Sequence, residues 1–293
     1  LGIQACRRRG IPFAYYIIDE LYRLVPQPLL RGFARAVERY NMRNASMVLS
    51  INEGLRSYSI DMGAQEERTR VIRAGIDLER FRPETDGSAV RSRFGFTEED
   101  LVLFFMGWLY PFSGLTEVAE EVLRQADEGR RVKLLVVGKG ESWNELDRLQ
   151  HDSEGRVVLI GWQPYPEIPK YLAAADICLL PARRHGVMAN IVPIKLYEYL
   201  AAGKPVLATR LSGIVKEFGN DHGVVYLENP REVIPKAIQL AASGLLPALG
   251  RKARAFVEGN DWTQITDQFE STLLHLCHES RRTASLKETT REP

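Results

Sequence analysis

Six short apolar runs constrain this chain more than any other feature: residues 101–106, 132–137, 157–160, 177–180, 206–208 and 224–227. Each is separated from the next by a stretch with helical periodicity. Strands that are apolar almost throughout need cover on both faces, so an α/β fold with a parallel sheet between two helical layers follows. Residues 11–18 and 47–51 read as two earlier strands, and a helix is expected near 53–62. Another helix is expected over 28–43, apolar at Leu30, Phe33, Ala34 and Val37, residues suited to packing against a sheet. A last helix is expected from about 261 to 278, followed by a polar, frayed end. At 293 residues there is room for two domains with sizeable cores.

The formal charge of +1 argues against nucleic acid as the main partner. Residues 1–83 nevertheless hold fourteen Arg against nine acidic residues, a net of +5, which leaves −4 for the rest. Arg31, Arg35 and Arg39 recur every four residues and form a stripe along the 28–43 helix. That stripe suits either anionic lipid headgroups, a peripheral membrane contact, or a solvated face with Glu38 pairing locally. Three cysteines without metal-ligand spacing point to a reducing compartment. No apolar run approaches the roughly 20 residues of a membrane span, and no signal peptide is visible, so a cytoplasmic location is expected. Residues 1–10 read as the end of a helix, and the chain is expected to be a fragment lacking its first strands.

The most specific stretch is 188–208, MANIVPIKLYEYLAAGKPVLA. Pro193 can open a helix, Leu196, Tyr199 and Leu200 recur at helical spacing, and Gly203 with Pro205 ends it before an apolar strand. Lys195 and Glu198, three residues apart, share one helix face. A helix N-terminus suits a phosphate, and a carboxylate one turn further in can accept two hydroxyl hydrogen bonds, as a ribose diol offers.

This segment resembles the signature of glycosyltransferase family 4, retaining enzymes of the GT-B fold with two Rossmann-like domains. The resemblance implies an incomplete acceptor-side domain over 1–83, a nucleotide-sugar domain over 84–258, a returning helix over 259–280 and a tail over 281–293. Glu198 falls on the family's ribose-binding glutamate. Asn190 stands where its other glutamate would be, free either to hydrogen-bond a sugar or to cap the helix.

In an open α/β sheet the ligand sits beyond the carboxyl ends of the strands. Those ends carry Gly107-Trp108, Gly138-Lys-Gly140, Gly161-Trp-Gln163, residues 181–185 and the 190–198 element. The family clamps the diphosphate with an Arg and a Lys where this chain has Trp108 and Ser113. Ser113 and Gly114 can still cradle a phosphate, or Ser113 can simply cap the next helix. Arg183, Arg184, His185 and Lys195 are the candidate substitute cations. Ile191 and Val192 would present backbone to the donor, and Trp162 would either flank the base or pack on a neighbouring helix. Asp19, after the first strand where the family often has a His, could face the acceptor or form a turn.

Asn190, Lys195 and Asp19 are thus the candidates for the reacting centre, and no Asp-x-Asp pair or metal-ligand spacing is present. The resemblance implies metal-independent sugar transfer from a nucleotide-diphospho-sugar to a glycan or lipid-linked acceptor, with no cofactor. The fragment alone is expected to be inactive. A nucleotide-sugar epimerase on the same architecture, or a binding subunit without turnover, are the alternatives.

Overall fold

The computed structural model describes residues 2–184 and 192–289. His185, Asn190 and Ile191 therefore lie outside the described residues. The chain divides into two compact units, one of residues up to Gly75 together with those from Asn260 onward, the other Ile76–Gly259. The division falls before 83, not after it, because Ile76 and Phe81 are buried in the larger unit's core.

In the smaller unit, helix α1 (Gly2–Arg8), strand β1 (Ala14–Ile17), helix α2 (Pro28–Asn44), strand β2 (Met47–Ser50), helix α3 (Glu53–Asp61) and strand β3 (Thr69–Val71) follow in order. The strands form a parallel sheet in the order β1-β2-β3. Helix α2 is turned opposite to expectation. Leu30, Phe33 and Val37 are exposed, and Glu38 and Met42 face inward. Met42 belongs to the cluster of Ile17, Val48 and Leu55, while Glu38 accepts hydrogen bonds from Tyr58 Oη (3.0 Å) and the Tyr22 amide (3.3 Å). A buried carboxylate with specific donors has thus taken the position that apolar periodicity assigned to Phe33. Gly75 serves a close approach here: a Cβ on it would run into the Trp262 indole.

The larger unit begins with helix α4 (Ser88–Arg93) and continues as β4 (Leu101–Trp108), α5 (Leu115–Asp127), β5 (Val132–Lys139), α6 (Trp143–Asp152), β6 (Val157–Ile160), α7 (Ile168–Ala173), β7 (Ile177–Leu180), α8 (Ile194–Ala201), β8 (Val206–Thr209), α9 (Ser212–Phe218), β9 (Val224–Leu227), α10 (Val233–Ala242) and α11 (Leu246–Val257). The parallel six-stranded sheet runs β6-β5-β4-β7-β8-β9. Along β4, Val102, Phe104 and Met106 enter one core, and Leu103 and Phe105 the other, so both faces are covered. Strands β4 and β5 outlast their apolar runs by two residues each, pairing Gly107 with Gly138 and Trp108 with Lys139. The ladder continues there because neither glycine brings a side chain that needs burial. Gly138 has φ +151°, and a Cβ on it would strike the Gly107 carbonyl.

Among the described residues no single helix is long and apolar enough to cross a membrane. The bent pair Pro230–Ala242 and Leu246–Asn260 passes by length and composition, but Val233, Ile234, Ala237 and Leu240, and Ala253 and Val257, are buried in the unit's cores. The last helix, α12 (Trp262–Thr289), groups with the smaller unit and runs past 280, where a frayed tail was expected. Residues 279–289 contain no Gly or Pro to stop it.

Candidate functional site

The carboxyl ends of β4, β5 and β6 and the first turns of α8 enclose a cavity of about 670 Å³ within the larger unit. Its lining joins Gly107, Trp108, Gly138, Lys139, Trp162, Gln163, Lys195 and Glu198, which the sequence singled out, to Met106, Val137, Tyr165 and Ile168. This is the size and position in which an open α/β sheet accommodates a small ligand.

Helix α8 carries the polar pair. Leu196, Tyr199 and Leu200 are fully buried, and Tyr199 Oη accepts a hydrogen bond from the Met106 amide at 2.9 Å, fixing the helix to the end of β4. Lys195 Nζ donates to the Met106 carbonyl at 2.8 Å and lies 4.1 Å from the centre of the Phe105 ring. Burial pulls its pKa down to about 8, against the opposing pull of Glu198. Glu198 is 7% exposed and accepts a hydrogen bond from Tyr165 Oη at 2.6 Å. Burial raises its pKa above the usual carboxylate value, and the Tyr165 hydrogen bond and the Lys195 charge act the other way. A lysine one turn before a glutamate on a cavity wall can meet a phosphate and a pair of hydroxyls together.

The wall opposite is aromatic. Trp162 is 70% exposed, and Trp108 donates its indole N–H to Glu141 at 2.6 Å. Gln163 accepts from Tyr171 Oη at 3.1 Å and donates to the Trp162 carbonyl. Such faces and amide edges suit a heterocyclic base.

Other expected site residues lie elsewhere. Arg183 pairs with Glu117, and Arg184 with Glu228. Neither lines the cavity, so of the substitute cations within the described residues only Lys195 does. Ser113 is buried in the turn Pro111–Ser113, which Gly114 ends in a left-handed conformation. Ser113, Gly114, Gly140 and Val192 are not among the lining residues. Asp19 belongs to the smaller unit, where burial raises its pKa. Tyr165 was missed as a cavity-lining group, whereas Trp108 and Lys139 lie at strand ends that the sequence placed in the crevice. The Gly-Trp-Gln-Pro-Tyr-Pro run held the signal for Tyr165, since prolines at 164 and 166 fix the backbone on both sides of it. Among the described residues no group of three or more His, Cys, Asp or Glu is placed to hold a metal ion.

A family model described as glycosyl transferases group 1 matches residues 100–243, the stretch that builds this cavity. Over that stretch the chain is similar to the group 1 glycosyltransferases. It is 33% identical over 144 residues to the GDP-mannose-dependent monoacylated alpha-(1-6)-phosphatidylinositol monomannoside mannosyltransferase of Corynebacterium glutamicum, which covers 48% of this chain and 38% of that one. To the 2-deoxystreptamine glucosyltransferase of Streptomyces kanamyceticus it is 26% identical over 230 residues, 74% of this chain and 58% of that one. The chain thus spans about half the length of the curated relatives it matches. The crystal structure of HepE from Anabaena in complex with UDP is similar to this chain with a TM-score of 0.74 at 20% identity, over 94% of this chain and 75% of that one. At that identity the likeness concerns the fold, which is GT-B with parallel, Rossmann-like sheets.

Proposed function

We propose that this chain is part of a retaining glycosyltransferase, of family 4 within group 1, that moves a sugar from a nucleotide-diphospho-sugar to a glycan or lipid-linked acceptor. The observation that carries this reading is the placement of Lys195 and Glu198 together on one cavity wall, at the carboxyl ends of β4–β6. Glu198 would accept the ribose hydroxyls, and Lys195 with the α8 N-terminus would meet the diphosphate. Trp162 and Gln163 would border the base. Asn190 and the backbone of Ile191 and Val192 remain the proposed sugar contacts, and Asp19 the proposed acceptor-side group. Stabilisation of the leaving diphosphate by this fixed positive charge would need no metal. The larger unit would bind the donor and the smaller one would contribute to the acceptor side. No observation favours the epimerase alternative.

Calorimetric titration of the chain with UDP and GDP, and with uridine and guanosine, tests the reading. Tighter binding of one diphosphate than of its nucleoside is expected, and no binding of any of the four would overturn it.

Helix α2 supports a cytoplasmic-side peripheral contact with anionic lipid. It exposes Leu29, Leu30, Phe33 and Val37 on the helix that carries Arg31, Arg35 and Arg39. Co-sedimentation confined to anionic vesicles, salt-sensitive and reduced by Arg31→Glu with Arg35→Glu, is the expected outcome. Equal or absent sedimentation with anionic and neutral vesicles would remove the membrane contact.

A further inference from the structure

Glu198 is held by one side chain that sequence spacing does not connect to it. Tyr165 lies 33 positions earlier, in the turn Tyr165–Glu167 after β6, and its hydroxyl donates to Glu198 Oε1 at 2.6 Å. A phenol donating to a carboxylate at this length is a strong, charge-assisted hydrogen bond. The tyrosine is itself held. Pro164 and Pro166 fix the backbone on either side, its ring meets Phe81 edge-on at 5.6 Å, and the Arg80 guanidinium stands 5.1 Å from the ring centre. Phe81 is fully buried, and Arg80 is paired with Asp77 at 3.3 Å. The tyrosine therefore has a rigid back and one polar end, which touches Glu198 and lines the cavity.

We infer that Tyr165 is the positioning residue for the proposed ribose-binding carboxylate: it fixes Glu198 in one rotamer, with Oε1 engaged, so that the carboxylate meets a ribose diol already oriented. This rests on the nucleotide-sugar reading above. Among the described residues Oε2 of Glu198 accepts no hydrogen bond, and it remains for the diol, with the second lone pair of Oε1. An unfixed glutamate would lose side-chain freedom on binding; one held in place has lost it on folding. The same hydrogen bond favours the ionised form that accepts from hydroxyls. The charged and titratable groups facing the pair are Lys195 on Glu198's own helix, and Arg80 and Asp77 around Tyr165.

The test is Tyr165→Phe, which keeps the ring and its Phe81 contact and removes only the hydroxyl. Calorimetry compares UDP and GDP with dUDP and dGDP, in the parent and the variant, across pH. The parent should favour the ribonucleotide. In the variant that preference should shrink about tenfold while affinity for the deoxy form stays level, and the acid limb of ribonucleotide binding should move to higher pH. In a Glu198→Gln background, Tyr165→Phe should add little, because the pair acts as one unit. A ribose preference and pH profile unchanged by Tyr165→Phe, or full additivity with Glu198→Gln, overturns the inference while leaving the nucleotide reading intact. A parent that binds none of the four nucleotides overturns both.

Discussion

Helices α2 and α8 each bury a glutamate against a tyrosine hydroxyl, and the two pairs differ in what surrounds them. Glu38 is 3% exposed and accepts from Tyr58 at 3.0 Å; its other oxygen, Oε1, is buried with no hydrogen-bond partner among the described residues. Glu198 is 7% exposed and accepts from Tyr165, but it also lines a cavity with a lysine beside it. Desolvation raises the pKa of both. The same pair of groups thus makes an internal fastening in one helix and a cavity-facing acceptor in the other. Concavity and a neighbouring cation separate them, not the carboxylate itself.

Substituting both glutamates by alanine breaks or sharpens this contrast most. Glu198→Ala should weaken nucleoside diphosphate binding by roughly 100-fold, from two lost hydrogen bonds to a charged acceptor. Glu38→Ala should leave that affinity unchanged and lower the unfolding midpoint instead. Titration and thermal unfolding of both variants decide it, and binding loss in both would erase the distinction.

A smaller effect is expected at the neighbouring cation. Lys195→Ala should reduce diphosphate affinity about tenfold and nucleoside affinity hardly at all, since a charge-assisted contact is worth about 1.5–3 kcal/mol before water replaces part of it. Because the lysine's pKa is about 8, diphosphate affinity in the parent should fall as pH rises through that value, with nucleoside affinity flat. The pair Arg183→Ala and Arg184→Ala should change neither, as Glu117 and Glu228 already hold those side chains. A loss from the arginine pair equal to that from Lys195 would move the diphosphate site.

Glu38 offers a subtler pH test. Its folded pKa lies above the unfolded value, so the folded chain binds this proton more tightly. The stability that this confers is complete below about pH 4.5 and is lost as pH rises through the raised value. Glu38→Gln should flatten that decline and unfold no earlier than the parent at neutral pH. Earlier unfolding of the variant there would show that the ionised form is the better fastened one.

The smallest effect is expected at Phe33, which is 72% exposed. Phe33→Ser should alter stability by less than about 0.5 kcal/mol, as surface substitutions do. A larger loss on thermal unfolding would mean that α2 packs as its periodicity suggests.

What the chain states locally was legible from its residues. Near-continuous apolar runs required a parallel sheet covered on both faces, and the order β6-β5-β4-β7-β8-β9 is such a sheet. The 193–208 stretch announced a helix, its stop and a strand, with Lys195 and Glu198 on one side, because these depend on spacing within a few turns. Contacts across long separations were not legible. Lys195 reaches Met106 across 89 positions, and Trp108 reaches Glu141 across 33. Tyr165 meets Glu198 only because β6 ends and α8 begins at the same edge of the sheet. The rotation of α2 was decided in the same way: apolar spacing alone favoured Phe33 inside, but donors on Tyr22 and Tyr58 made it cheaper to bury Glu38. Periodicity records which faces a helix has; only tertiary packing sets which face the interior can satisfy.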